Sequence, residues 1–138
     1  MDTGNTVTRV EHIGIAVRSL ADSIPLYEKL LGTRCYAVEE VADQEVKTAL
    51  FRVGETKIEL LESTDPEGPI ARFILKRGEG IHHIALAVPD VKSALASLSV
   101  QGIKPIDTVP RPGAEGMSIA FLHPASTGSV LLELCAKS

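Results

Sequence analysis

The chain has 138 residues and a net charge of −4, with 44% apolar and 23% charged residues. That length and composition fit one soluble globular domain able to bury a real core. The acidic balance, the lack of Trp and an aromatic content of 4% argue against nucleic acid or an anionic membrane as the main partner.

Two cysteines, Cys35 and Cys135, are too few for a disulfide framework and read as reduced thiols. No stretch reaches the length of a membrane span. Met1 to Thr8 is polar, without the apolar core of a secretory signal and without the arginines of a transit peptide. A cytoplasmic location is expected.

In chain order, the first strand-like segment is Val10-Glu-His12-Ile-Gly-Ile-Ala-Val17. A helical pattern follows, with Leu20, Ile24, Tyr27 and Leu31 on one face and Asp22 near its start. Pro25 is expected in the first turn, where its missing N–H does no harm. Gly32 suits the C-terminal cap. Strands are expected at about 33–40, 46–53 and 56–62. Residues 63–80 hold a turn and a short amphipathic helix carrying Ile70, Phe73 and Ile74. The segment Ile81-His-His83-Ile-Ala-Leu-Ala-Val88 then repeats the first strand, His83 coming 71 residues after His12. Asp90 is a preferred helix N-cap, with Val91, Ala94, Leu95 and Leu98 at helical spacing and Gly102 at the end. Strands are expected at about 103–109, 117–122 and 129–135.

The fold class is therefore α+β, two βαβββ units paired in a single domain over residues 1–138. Unit one covers about 8–62, a linker with a short helix 63–80, and unit two about 81–136. A cleft between two such curled units is where a site is expected.

Strand side chains alternate between faces. His12 shares its face with Gly14 and Ala16, and His83 shares its face with Ala85 and Ala87. The opposite faces carry Ile13, Ile15 and Val17, and His82, Ile84, Leu86 and Val88. Large apolar residues belong under the helices, and small ones beside a histidine leave room for a metal and a substrate. The pattern selects His83, not His82, as the partner of His12. Glu59 and Glu133 each stand between apolar neighbours on the last strand of a unit, a costly place for a carboxylate buried alone. Singly, each of the four reads as well as an ordinary strand residue. Together, one His and one Glu at matching places in each half form a candidate metal set, His12, Glu59, His83 and Glu133. Two imidazoles and two carboxylates suit Zn, Co, Ni, Mn or Fe as a divalent ion.

Three stretches carry a family resemblance: His12-Ile-Gly-Ile-Ala-Val with Tyr27-Glu-Lys-Leu-Leu-Gly32; Pro69-Ile-Ala-Arg-Phe running into Lys76-Arg-Gly-Glu-Gly-Ile-His-His83; and Gly113-Ala-Glu-Gly116 with Phe121-Leu-His-Pro124 and Gly128-Ser-Val-Leu-Leu-Glu133. From Val10 to Leu134 the chain resembles the vicinal-oxygen-chelate superfamily of glyoxalases, bleomycin resistance proteins and ring-cleaving dioxygenases. Within it, these stretches look like the methylmalonyl-CoA epimerase family. The resemblance implies a divalent metal cofactor and an acyl-CoA substrate whose C2 proton is removed and returned through a metal-stabilised enolate. It also implies a homodimer working in propionate metabolism. Glu59 and Glu133 are expected to be both ligands and acid/base groups. Where some family members carry Gln as second ligand and a separate Glu as base, this chain has Glu59 and, at the base position, Thr48 beside Lys47. Glu45 is the spare carboxylate nearby, on an unfavourable alternation.

Lys76, Arg77 and Arg111 are candidate CoA-phosphate contacts that read equally as solvated charges. His123 reads as a turn residue, Gly113 and Gly116 as flanking a loop, and Cys135 as a small buried hydrophobe. Two alternatives use the same fold: a glyoxalase I-like isomerase of a glutathione hemithioacetal, and a non-catalytic small-molecule-binding module. An iron dioxygenase is disfavoured by the extra carboxylate, Glu59.

Overall fold

The protein is described from a computed structural model, over residues 6–138. Its elements run β1 (Arg9–Ala16), α1 (Leu20–Leu31), β2 (Ala37–Val41), β3 (Val46–Val53), β4 (Thr56–Ser63), α2 (Pro69–Arg77), β5 (Gly80–Ala87), α3 (Val91–Val100), β6 (Arg111–Pro112), β7 (Met117–Phe121) and β8 (Leu132–Lys137). The fold is α+β, as the repeat predicts.

The chain divides into two compact units, His12–His82 and a second that joins the segment ending at Glu11 to His83–Ser138. In the first the strand order is β2-β3-β4-β1, with β1 and β4 parallel and the other neighbours antiparallel. In the second the order is β5-β8-β7-β6, again with one parallel pair, β5 and β8. Helix α2, taken from the sequence as part of a linker, belongs to the first unit and packs on β4.

Each unit builds its helix-side core from the large residues of the strand pattern. In the first, Val17, Leu20, Ala49, Phe51 and Leu60 are buried, with Ile15, Ile24, Tyr27 and Leu31 packed around them. In the second, Val88, Val91, Ala94, Leu95, Ala120, Leu122, Leu134 and Ala136 form the corresponding cluster. The helices start where side chains can satisfy their free N–H groups. Ser19 Oγ accepts from the Asp22 N–H at 3.2 Å, and Asp90 Oδ2 from the Ser93 N–H at 2.9 Å. Gly32, at φ 67°, closes α1 in the left-handed conformation that glycine adopts without strain.

Two local expectations are corrected. Pro25 is the sixth residue of α1 rather than a first-turn residue, so it removes one interior hydrogen bond. The strand expected at 103–109 is absent, and β6 is only Arg111–Pro112. Pro105, Pro110 and Pro112 cannot donate to a ladder. The stretch instead makes a single bridge, Pro105 to Leu122, and sends the N–H groups of Ile106 and Asp107 to the Phe121 carbonyl at 2.8 and 3.3 Å.

Candidate metal centre

The first unit brings His12 and Glu59 together. In the parallel β1–β4 register Gly14 faces Glu59, so His12 lies one pleat from the carboxylate on the same face. His12 Nδ1 is 3.2 Å from Glu59 Oε2. The second unit repeats this diagonal. Ala85 faces Glu133 across β5–β8, His83 lies one pleat away, and His83 Nε2 is 2.9 Å from Glu133 Oε1. In both units the residue opposite the Glu is Gly or Ala, which leaves the imidazole room to reach across.

All four side chains are buried. A buried carboxylate is strongly disfavoured unless its charge is met. An imidazole hydrogen bond satisfies one oxygen of each. A cation at either pair would meet the charge of its carboxylate and use the imidazole nitrogen beside it. Donor atoms about 2.1 Å from one ion and at right angles lie about 3 Å apart, which the separation within each pair matches. Residues and distances therefore fit a divalent ion, and the N/O set places it in the transition-metal and zinc class.

The face bearing the second pair is otherwise apolar. In the second unit Ala85, Ala87, Ile119 and Cys135 are buried together there, with Met117 and Phe121 packed against them. Cys135 is thus the small buried hydrophobe expected. Phe121 faces Glu133 across β7–β8, and its ring meets the His83 ring edge-on, centroids 5.4 Å apart at 86°. His82 turns the other way, onto the Phe73 ring of α2 at 5.0 Å.

Thr48 lies on the Glu59 face through the register Thr48–Leu61 and Leu50–Glu59, and is buried. Its hydroxyl donates to the Glu39 carbonyl at 3.1 Å. Glu45 sits in a left-handed turn, φ 56°, ahead of β3. Two carboxylates were missed in the sequence. Glu39 is half-buried and its register with Thr48 puts it on the same face as Glu59. Glu11, beside His12 on β1, is only 1% exposed, and Arg9 approaches it at 3.9 Å. Alternation counted from β2 would have found Glu39; nothing in the local pattern marks Glu11 as buried.

Of the remaining sequence candidates, Lys76 and Arg77 are exposed at the end of α2, the Arg77 guanidinium 5.8 Å from the Phe73 ring. Arg111 pairs with Asp107 at 3.2 Å. His123 is a turn residue, its Nδ1 accepting from the Ala125 N–H at 3.1 Å. Gly116 takes a left-handed φ of 69°, and Gly113 packs so closely on Ile119 that a Cβ would stand 2.7 Å from its side chain.

Residues 11–121 match the model of the glyoxalase/bleomycin resistance protein/dioxygenase superfamily. The chain belongs to that superfamily. Among its superfamily relatives, the Bacillus subtilis protein YqjC, itself uncharacterized, is 42% identical over 94% of this chain and 92% of its own length. An ethylmalonyl-CoA/methylmalonyl-CoA epimerase of Cereibacter sphaeroides is 34% identical, covering 93% of this chain and 97% of that protein. A Streptomyces coelicolor methylmalonyl-CoA epimerase solved with 2-nitronate-propionyl-CoA superposes with a TM-score of 0.92 at 32% identity, covering 96% of each chain. The fold is the glyoxalase-like fold of those epimerases. Among the described residues, no helix is long and apolar enough to cross a membrane.

Proposed function

We propose that this superfamily member is a metal-dependent epimerase that interconverts (R)- and (S)-methylmalonyl-CoA. The observation that carries the reading is the repeated diagonal, one buried His–Glu pair on the parallel strands of each unit. Epimerases of this substrate class among its relatives support it. His12, Glu59, His83 and Glu133 together would hold one divalent ion, Co, Zn, Ni, Mn or Fe. When bound, the ion supplies a Lewis acid for oxygens of the substrate.

The C2 proton of methylmalonyl-CoA lies between a thioester carbonyl and a carboxylate, so its removal leaves a delocalised anion. Epimerisation then requires a proton to leave one face of C2 and return to the other. Glu133 serves one face and Glu59 the other, each passing between carboxylate and carboxylic acid. Thr48 has no basic group for this task. Glu39 is the other carboxylate on the Glu59 face, so Glu59→Gln and Glu39→Gln separate the two assignments. Loss of inversion in the first under metal concentrations that saturate both variants, and its persistence in the second, supports Glu59. The reverse pattern moves the role to Glu39. The small apolar residues beside the pairs keep bulk water from quenching the proton transfer. We assign the enzyme to the cytoplasm and to propionate metabolism, acting as a homodimer on a small acyl-CoA substrate.

A glyoxalase I-like isomerase is the second reading, favoured by Glu at position 59, where some epimerases carry Gln. The deciding experiment incubates metal-loaded protein separately with (S)-methylmalonyl-CoA and with the hemithioacetal of glutathione and methylglyoxal. Racemisation of the first with the second untouched supports the epimerase. Conversion of the hemithioacetal alone overturns it. Inertness to both, with tight retention of a small molecule, points to a binding module.

A further inference from the structure

We propose that Asp107 is a positioning residue for His83, acting through Phe121. Strand β6 covers only Ser118 and Ile119 on the outer side of β7. The outward N–H and C=O of Phe121, just beyond, would otherwise lack ladder partners. Residues 106 and 107 replace the missing strand. Asp107 Oδ2 accepts from the Phe121 N–H at 2.8 Å, and the N–H groups of Ile106 and Asp107 donate to the Phe121 carbonyl. The Arg111 guanidinium, 3.2 Å from Asp107 Oδ1, neutralises and orients that carboxylate, which is 12% exposed.

The backbone of Phe121 is therefore held on the side away from β8. That makes Phe121 and Glu133 a pair with no hydrogen bonds between them, the arrangement in which facing side chains come closest. The Phe121 ring also stands edge-on to the His83 ring, 5.4 Å away. One side chain thus borders both members of the pair whose nitrogen and oxygen lie 2.9 Å apart. A ring that slid would free His83 to turn about its side-chain bonds and lose that separation. Groups that orient a ligand from outside its coordination shell commonly change metal affinity by about 10–100-fold. In its metal readout the inference rests on the proposed function; the positional relation to His83 does not.

The test compares Asp107→Ala, Asp107→Asn and Phe121→Leu. Zn²⁺ affinity is read by competition with a chromogenic chelator, and His83 ring signals by NMR of the metal-free protein. Asp107→Ala and Phe121→Leu are expected to weaken Zn²⁺ binding about 10-fold or more and to broaden the His83 ring signals. Asp107→Asn keeps an acceptor for the Phe121 N–H and is expected to stay within about 3-fold of the parent. A carboxylate that only closes the sheet edge would lower the melting temperature and leave both readouts unchanged. That result in folded Asp107→Ala overturns the proposal. If Asp107→Ala does not fold, parental Zn²⁺ affinity and sharp His83 signals in Phe121→Leu overturn it. If the parent binds no Zn²⁺, the metal centre fails, and the ring signals of the metal-free variants still decide the positioning role.

Discussion

His83 Nε2 and Glu133 Oε1 lie 2.9 Å apart on neighbouring parallel strands, with side chains only 5% and 4% exposed. His12 and Glu59 repeat the relationship in the other unit at 3.2 Å. Two buried pairs of the same kind are hard to account for as separate structural hydrogen bonds, since each costs desolvation that an apolar pair would avoid. Metal binding, as proposed above, would offset that cost.

Replacing either carboxylate by an amide removes an anionic donor while keeping its shape. Glu59→Gln and Glu133→Gln are each expected to lower metal affinity by more than about 100-fold, since changes outside the coordination shell already reach about 10–100-fold. Inductively coupled plasma measurement of metal per chain after dialysis reads the effect. Full occupancy in both variants would remove the carboxylates from the ligand set.

The two adjacent histidines should behave oppositely. His83→Asn is expected to lose metal, whereas His82→Asn, whose ring faces Phe73 on α2, should keep it. Equal metal loss in the two would mean that alternation along β5 does not separate them.

That separation was legible in the sequence because a strand has a fixed period: once Ala85 and Ala87 marked the open face, His83 had to share it. The repeat likewise gave both helices and most strands, since helix periodicity and the capping residues are local signals. The strand expected at 103–109 failed because Ile106 and Asp107 spend their N–H groups on the distant Phe121 carbonyl. Glu39 and Glu11 escaped notice for a related reason. Alternation fixes which residues of a strand share a face, but which face is covered depends on the neighbouring elements, and the local pattern does not reveal those.

Phe51 is wholly buried under α1, its ring 6.3 Å from that of Tyr27. Phe51→Ala should cost about 3–5 kcal/mol of folding stability through the cavity it leaves, out of a total of about 5–15 kcal/mol. Urea unfolding followed by circular dichroism measures it. A loss below about 1 kcal/mol would mean that the first unit's core does not rest on this residue.

The start of α3 should show a defined pH response. Hydrogen bonds from the Ser93 hydroxyl and backbone N–H hold the Asp90 carboxyl below its ordinary value. Its contribution to stability is therefore present above the unfolded value of about 3.9 and lost as pH falls through the lower folded value. The difference in melting temperature between the parent and Asp90→Ala should shrink as the solution is acidified through that range. A difference independent of pH would show that the charged form of Asp90 does not contribute.

The central claim, a metal centre that moves the C2 proton of an acyl-CoA, is tested most directly by following methylmalonyl-CoA in D₂O by proton NMR. Metal-loaded protein is predicted to exchange the C2 proton for deuterium, chelator-treated protein to leave it in place, and restored metal to restore exchange. Absence of exchange in protein shown to be folded and metal-bound would contradict the account.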